Sequence, residues 1–152
     1  MRLVTSRQIA APAERVWALA TDIEASPRMI SGIDSVEVVA GAPEFGVGTR
    51  WRETRTMYGR QATEELEVIA VTEGREYSVV TDGNGTRYEA HFLIEPDASD
   101  SCTLTTTFGA TPTSLISWLL ARTVGRLFVA SSRTAMENDL ADLARAAEDH
   151  AG

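Results

Sequence analysis

The chain has 152 residues, 43% of them hydrophobic and 24% charged, which is enough to enclose a core without disulfides and too apolar for a disordered segment. Its formal charge of −8 argues against nucleic acid or an anionic membrane surface as a partner. Cys102 is the one cysteine, and the two histidines, His91 and His150, lack a partner at ligand spacing, so neither a disulfide nor a metal or other cofactor is expected.

Residues 2–10 alternate and read as a strand, and the first twelve residues contain no apolar signal core, which sets the expectation of a cytoplasmic protein. All 14 basic residues are arginine, the usage of a GC-rich bacterial genome. A first helix is predicted over 12–20, with Pro12 at its first position and Val16, Leu19 and Ala20 on one face. A second, starting near Asp22 as N-cap, is broken at Pro27.

Six strand segments follow, at about 34–40, 47–57, 61–71, 75–81, 86–95 and 102–110, each bounded by Gly, Pro or Asp. The last third, 113–148, is one long helical pattern. Val129, Ser132, Met136, Leu140, Leu143 and Ala147 make its buried stripe, and Glu137, Asp139, Asp142 and Arg145 its solvated side. The SLISWLL stretch within it falls far short of the ~20 residues of a membrane span. Its Trp118 reads as packing, with a place at a cavity entrance as the alternative.

Turn chemistry sets which strand positions face inward. A tight hairpin around Tyr58 and Gly59 puts Arg50 opposite Glu67, Arg52 opposite Glu65 and Thr54 opposite Thr63, three favourable outer pairs. The other face then holds Trp51 with Leu66, Thr49 with Val68 and Val47 with Ala70. The DGNG turn at 82–85 pairs Val79 with Tyr88 and Tyr77 with Ala90 inside, and Glu76 with His91 outside. On the next two strands Phe92 and Ile94 share the inner face with Cys102, Leu104, Thr106 and Phe108. A sheet of this length needs its apolar face covered, and the terminal helix is the one element long enough to do so.

Two inward positions break the apolar rule. Glu53 and Glu64 face each other, with Arg55 one step away above Ala62. Opposed carboxylates in a buried sheet need Arg55 to bridge them, or one must keep its proton through a raised pKa. Two readings stand at this point: solvated charges at a barrel rim, or a polar anchor or acid–base group at one end of a cavity.

Particular motifs add to this order of elements. They are IAAPAERVWALATD at 9–22, FGVGTRW at 45–51, FLIEP at 92–96 and MENDLADLARAAE at 136–148. The chain resembles the START/Bet v 1-like superfamily, and within it the polyketide cyclase/dehydratase-like (SRPBCC) proteins. The resemblance spans the chain and implies one α+β domain over 1–152 with a helix-grip fold. In that fold a curved seven-stranded antiparallel sheet wraps a long C-terminal helix, and two short helices follow the first strand.

The expected partner is a small, mainly hydrophobic ligand, with no nucleic acid and no stable membrane insertion. Its wall is expected to include Trp51, Leu66, Tyr77, Val79, Tyr88, Phe92, Leu104, Thr106 and Phe108. The alternatives are a polyketide cyclase/dehydratase-type enzyme using Glu53, Arg55 and Glu64, or an inward tyrosine, and an interaction module with a vestigial cavity. Oligomeric state is not readable from the residues.

Overall fold

The computed structural model describes residues 2–41, 44–57, 59–83 and 85–149. Strand β1 (Arg2–Ile9) leads into helices α1 (Ala13–Ala20) and α2 (Ser26–Met29). Six strands follow: β2 (Ile33–Ala40), β3 (Arg50–Met57), β4 (Arg60–Thr72), β5 (Glu76–Gly83), β6 (Thr86–Ala98) and β7 (Ser101–Pro112). Helix α3 (Leu115–Asp149) comes last. The strands form one curved antiparallel sheet in the order β1-β7-β6-β5-β4-β3-β2. Consecutive strands from β2 to β7 pair by hairpins, and β1 closes onto β7, so β1 and β2 are the two edges. Helix α3 lies in the hollow of the sheet, against β1, β7, α1 and α2.

The helix starts differ in detail from the sequence expectation. Pro12 caps α1 from outside, its carbonyl accepting from the amides of Arg15 and Val16 at 3.1 and 3.2 Å. Pro27 does not break a helix begun at Asp22. It sits in the first turn of α2, where its missing N–H is no loss and its fixed φ suits the helix.

The β3–β4 register is as the hairpin chemistry requires, with Arg50 opposite Glu67, Arg52 opposite Glu65 and Thr54 opposite Thr63. The Thr54 and Thr63 hydroxyls bond at 2.8 Å on the outer face, and Arg52 lies 3.6 Å from Glu65. Tyr58 lies outside the described residues. Inner-face pairing fails beyond Val68, because β4 carries a bulge between Val68 and Ala70. The extra residue shifts the inward position from Ala70 to Val71, which pairs with Tyr77. Val47 precedes β3 altogether and is 70% exposed.

The β5–β6 hairpin turns one residue later than the DGNG pattern suggests, its last pair being Gly83 with Thr86. Gly85 takes φ 73° in this turn, a conformation that glycine adopts without strain. Asn84 lies outside the described residues. Partners therefore slip by two: Val79 meets Ala90, Tyr77 meets Phe92 and Thr81 meets Tyr88. A slip of two preserves the face, so the inward set survives. Glu76 stands opposite Leu93 instead of His91, although His91 Nε2 still lies 3.9 Å from Glu76 Oε2 on the outer surface.

The core runs along the hollow. Ile9, Val16, Val68, Ile94, Leu104 and Cys102 are fully buried, and from α3 Leu140, Leu143, Ala144 and Ala147 complete it. Burial raises the Cys102 thiol pKa above its usual value, as expected of a packed, inert cysteine. The Trp118 side chain lies outside the described residues. No described helix is long and apolar enough to cross a membrane.

Candidate functional site

Between the sheet and α3 the inward side chains leave a cavity of about 540 Å³. Its wall includes Trp51, Leu66, Tyr77, Val79, Tyr88, Phe92, Leu104, Thr106 and Phe108 from the strands. Helices α1 and α2 and the chain around them add Leu19, Ile23 and Met29, and α3 adds Met136, Leu140 and Leu143. Alternation along each strand accounts for this lining, since every second side chain must point into the hollow.

The aromatic part of the wall packs around Tyr77. Tyr77 and Phe92, paired across β5 and β6, stack at 4.7 Å between ring centres, and Trp17 and Phe45 meet Tyr77 edge-on at 5.7 and 5.0 Å. The Tyr77 hydroxyl donates to the Ala20 carbonyl at 3.4 Å. Burial, with the negative charge of Glu53 adding to it, raises the pKa of this phenol, so it stays protonated. Tyr77 is a packed wall residue. Tyr88 stacks on Phe108 at 5.8 Å further along the wall.

Glu53, Arg55 and Glu64 also line the cavity, at one end of it. Glu53 and Glu64 stand directly opposite on β3 and β4. Arg55 does not bridge the two. Its Nε donates to Glu53 Oε2 at 2.6 Å, and its Nη1 and Nη2 donate to the two carboxylate oxygens of Asp139 on α3 at 3.2 and 2.8 Å. The indole N–H of Trp51 donates to Glu53 Oε1 at 3.3 Å. Gly32 leaves room for this fork, since a Cβ there would lie 3.2 Å from Arg55 Nη1.

The charges follow from these contacts. Burial works against the Arg55 cation, but Asp139 and Glu53 outweigh it and hold the guanidinium above its usual range. Glu64 is solvent-exposed on the cavity wall, yet partial desolvation there raises its pKa, and the facing charge of Glu53 raises it further against the pull of Arg55. Asp139 is also shifted upward, first by burial, with Glu53 and Asp142 adding to it and Arg55 opposing.

Asp139 and Asp142 correct the sequence reading, which put both on the solvated side of the last helix. Asp139 faces the cavity and Asp142 is 8% exposed. Asp142 Oδ2 accepts from the Ser31 amide at 2.9 Å and the Ser31 hydroxyl at 2.7 Å. Burial opposes ionisation of Asp142, but those two bonds prevail and its pKa falls below the ordinary value. Helical periodicity treats any carboxylate as outward. The available signal was instead the inward Arg55, a cation whose charge required a partner from the covering helix. Among the described residues no group of three or more His, Cys, Asp or Glu is arranged to hold a metal ion.

The architecture and the cavity invite comparison with known proteins. A family model described as polyketide cyclase / dehydrase and lipid transport matches residues 1–148. The chain belongs to that family. No curated protein matches its sequence. Among solved structures, one from Thermus thermophilus is similar with a TM-score of 0.81 at 22% identity, over 100% of both chains. The Zhui aromatase/cyclase of a Streptomyces species is similar with a TM-score of 0.81 at 14% identity, over 97% of this chain and 93% of that one. Norcoclaurine synthase of Thalictrum flavum, in complex with dopamine and hydroxybenzaldehyde, has a TM-score of 0.75 at 16% identity, over 100% of this chain and 88% of that one. Likeness at such identities is a likeness of fold: the helix-grip arrangement of a START-like (SRPBCC) member.

Proposed function

We propose that the protein binds one small, mainly apolar molecule between its sheet and α3, as a carrier or sensor. The unfilled cavity of about 540 Å³ carries this reading, because a mainly aliphatic and aromatic wall with a few polar groups suits such a ligand. An interaction module with a vestigial cavity gives no reason for that space to stay open.

Enzymatic use of the site has weaker support. Glu53 and Arg55 are tied into one network with Asp139, and the Tyr77 hydroxyl is given to the Ala20 carbonyl. Glu64 is the observation that favours a cyclase/dehydratase-type reaction, since a wall carboxyl with a raised pKa is suited to proton transfer.

Titration with an environment-sensitive apolar dye, followed by competition with a fatty acid, tests the leading reading. Saturable binding near one molecule per chain is expected. Absence of any binding at high micromolar concentration sinks it. Turnover of a polyketone abolished in Glu64→Gln, with dye binding intact, would move the assignment to the enzyme.

A further inference from the structure

The polar end of the cavity is electrically unbalanced. Glu53, Glu64 and Asp139 bring three carboxyls to the described lining, and Arg55 brings its one cation. Arg55 directs its Nε to Glu53 and both Nη atoms to Asp139, with no hydrogen bond to Glu64. Glu64 receives no hydrogen bond from any described side chain, although it faces both Glu53 and the hollow. The carboxyls are not arranged to hold a metal ion, so a metal does not answer the imbalance.

An independent observation lies at the other end of the strands, in the row of Tyr77 and Phe92. There Thr106 stands opposite Thr5, the two residues 6% and 7% exposed. Neither hydroxyl oxygen has a hydrogen-bond partner, and Thr106 lines the cavity. Buried hydroxyls without partners are costly. Rotation of Thr106 about χ1 exchanges its methyl and hydroxyl on the cavity wall, which lets a ligand atom supply the missing bond.

We infer that the ligand is an organic cation with an apolar body, its ammonium or similar head against Glu64 and a hydrogen-bonding group remote from that head against Thr106. This rests on the ligand-binding reading above. A cationic head supplies a charge where Arg55 is shared between Glu53 and Asp139, and it gives the solvent-exposed Glu64 carboxylate at the cavity wall a charge-assisted partner. The apolar wall between the two polar points sets the chemistry of the body. A fatty-acid-like anion meets the wrong sign of charge at this end.

Calorimetric titration with decylamine, decanol and decanoate at neutral pH separates the possibilities. Binding of decanol alone checks the cavity as an apolar site. Decylamine is expected to bind several-fold tighter than decanol, the scale of an ion pair at an exposed carboxylate, and decanoate more weakly than either. Glu64→Gln is expected to remove the preference for the amine while leaving decanol unchanged. Glu137→Gln, which removes the same unit of charge from the exposed side of α3, is expected to keep the preference. The α,ω-amino alcohol of the same chain length is expected to lose several-fold in affinity in Thr106→Val, with decylamine unaffected. Equal affinity of wild type for decylamine and decanol overturns the cationic head and means that Glu64 is satisfied by its own proton. No loss in Thr106→Val overturns the remote group. Failure of all three probes overturns the ligand-binding reading itself.

Discussion

Glu64 is a residue whose ionisation opposes folding. Its pKa in the folded chain is raised, so between its ordinary value and that raised value the native state holds a proton that the unfolded chain has lost. Stability therefore falls as pH rises through that window, and the deficit persists at neutral pH. Asp142 has the opposite sign. Its lowered pKa contributes stability above the ordinary aspartate value, and that contribution is lost as pH falls through the folded value. Replacing Glu64 by Gln is expected to stabilise the protein at pH 7 by roughly 0.2–1 kcal/mol, the scale of relieving an opposed like-charge pair. At a pH below the carboxylate range the gain should vanish. Urea denaturation of wild type and Glu64→Gln at both pH values checks this, and an equal effect at both would mean that charge is not the cause.

At the scale of the element, α3 is held by two kinds of contact. Leu140 and Leu143 are buried in the core, and Leu140→Ala or Leu143→Ala is expected to cost about 2–5 kcal/mol. Asp142 ties the same helix to Ser31 through two donors, and Asp142→Ala is expected to cost about 1–3 kcal/mol by leaving them unpaired. Glu137→Ala and Arg145→Ala, on exposed positions, should each stay within about 0.5 kcal/mol. Thermal or chemical unfolding of the five variants measures the order, and an Asp142→Ala indistinguishable from Glu137→Ala would refute the anchoring role.

The sequence could show one part of this pattern and not the other. Leu140 and Leu143 announce themselves by spacing, because burial repeats with the helix. Asp139 and Asp142 answer Arg55 and Ser31, which are 84 and 111 residues away, and no local period encodes such a partner. The same division holds in the sheet. Outer pairs such as Thr54 with Thr63 follow from a short turn, whereas the bulge after Val68 depends on how β4 meets β5 and leaves no mark in either strand alone.

Over the whole molecule, the sheet is a ribbon with two free edges, β1 and β2, and α3 fills the hollow between them. Among the described residues, the hydrogen bonds that tie that helix to its surroundings run through side chains: Glu148 to the Ala10 amide at 2.9 Å, Arg15 to the Ala147 carbonyl at 2.9 Å, Arg133 to the Val4 carbonyl at 3.4 Å, Asp142 to Ser31, and Asp139 to Arg55. No backbone ladder joins α3 to the sheet among the described residues. Access to the cavity therefore does not require the sheet to come apart. A ligand bound as proposed is expected to enter by a shift of α3 on the microsecond-to-millisecond scale of helix motions, while the sheet amides wait for global unfolding to exchange. Deuterium uptake in β5 and β6 over hours, set beside millisecond mixing of protein and dye, should show two clocks in one small domain. If dye entry is as slow as sheet exchange, the hollow opens only when the whole fold does. Two clocks would mean that the hollow can fill and empty many times within a single folded lifetime.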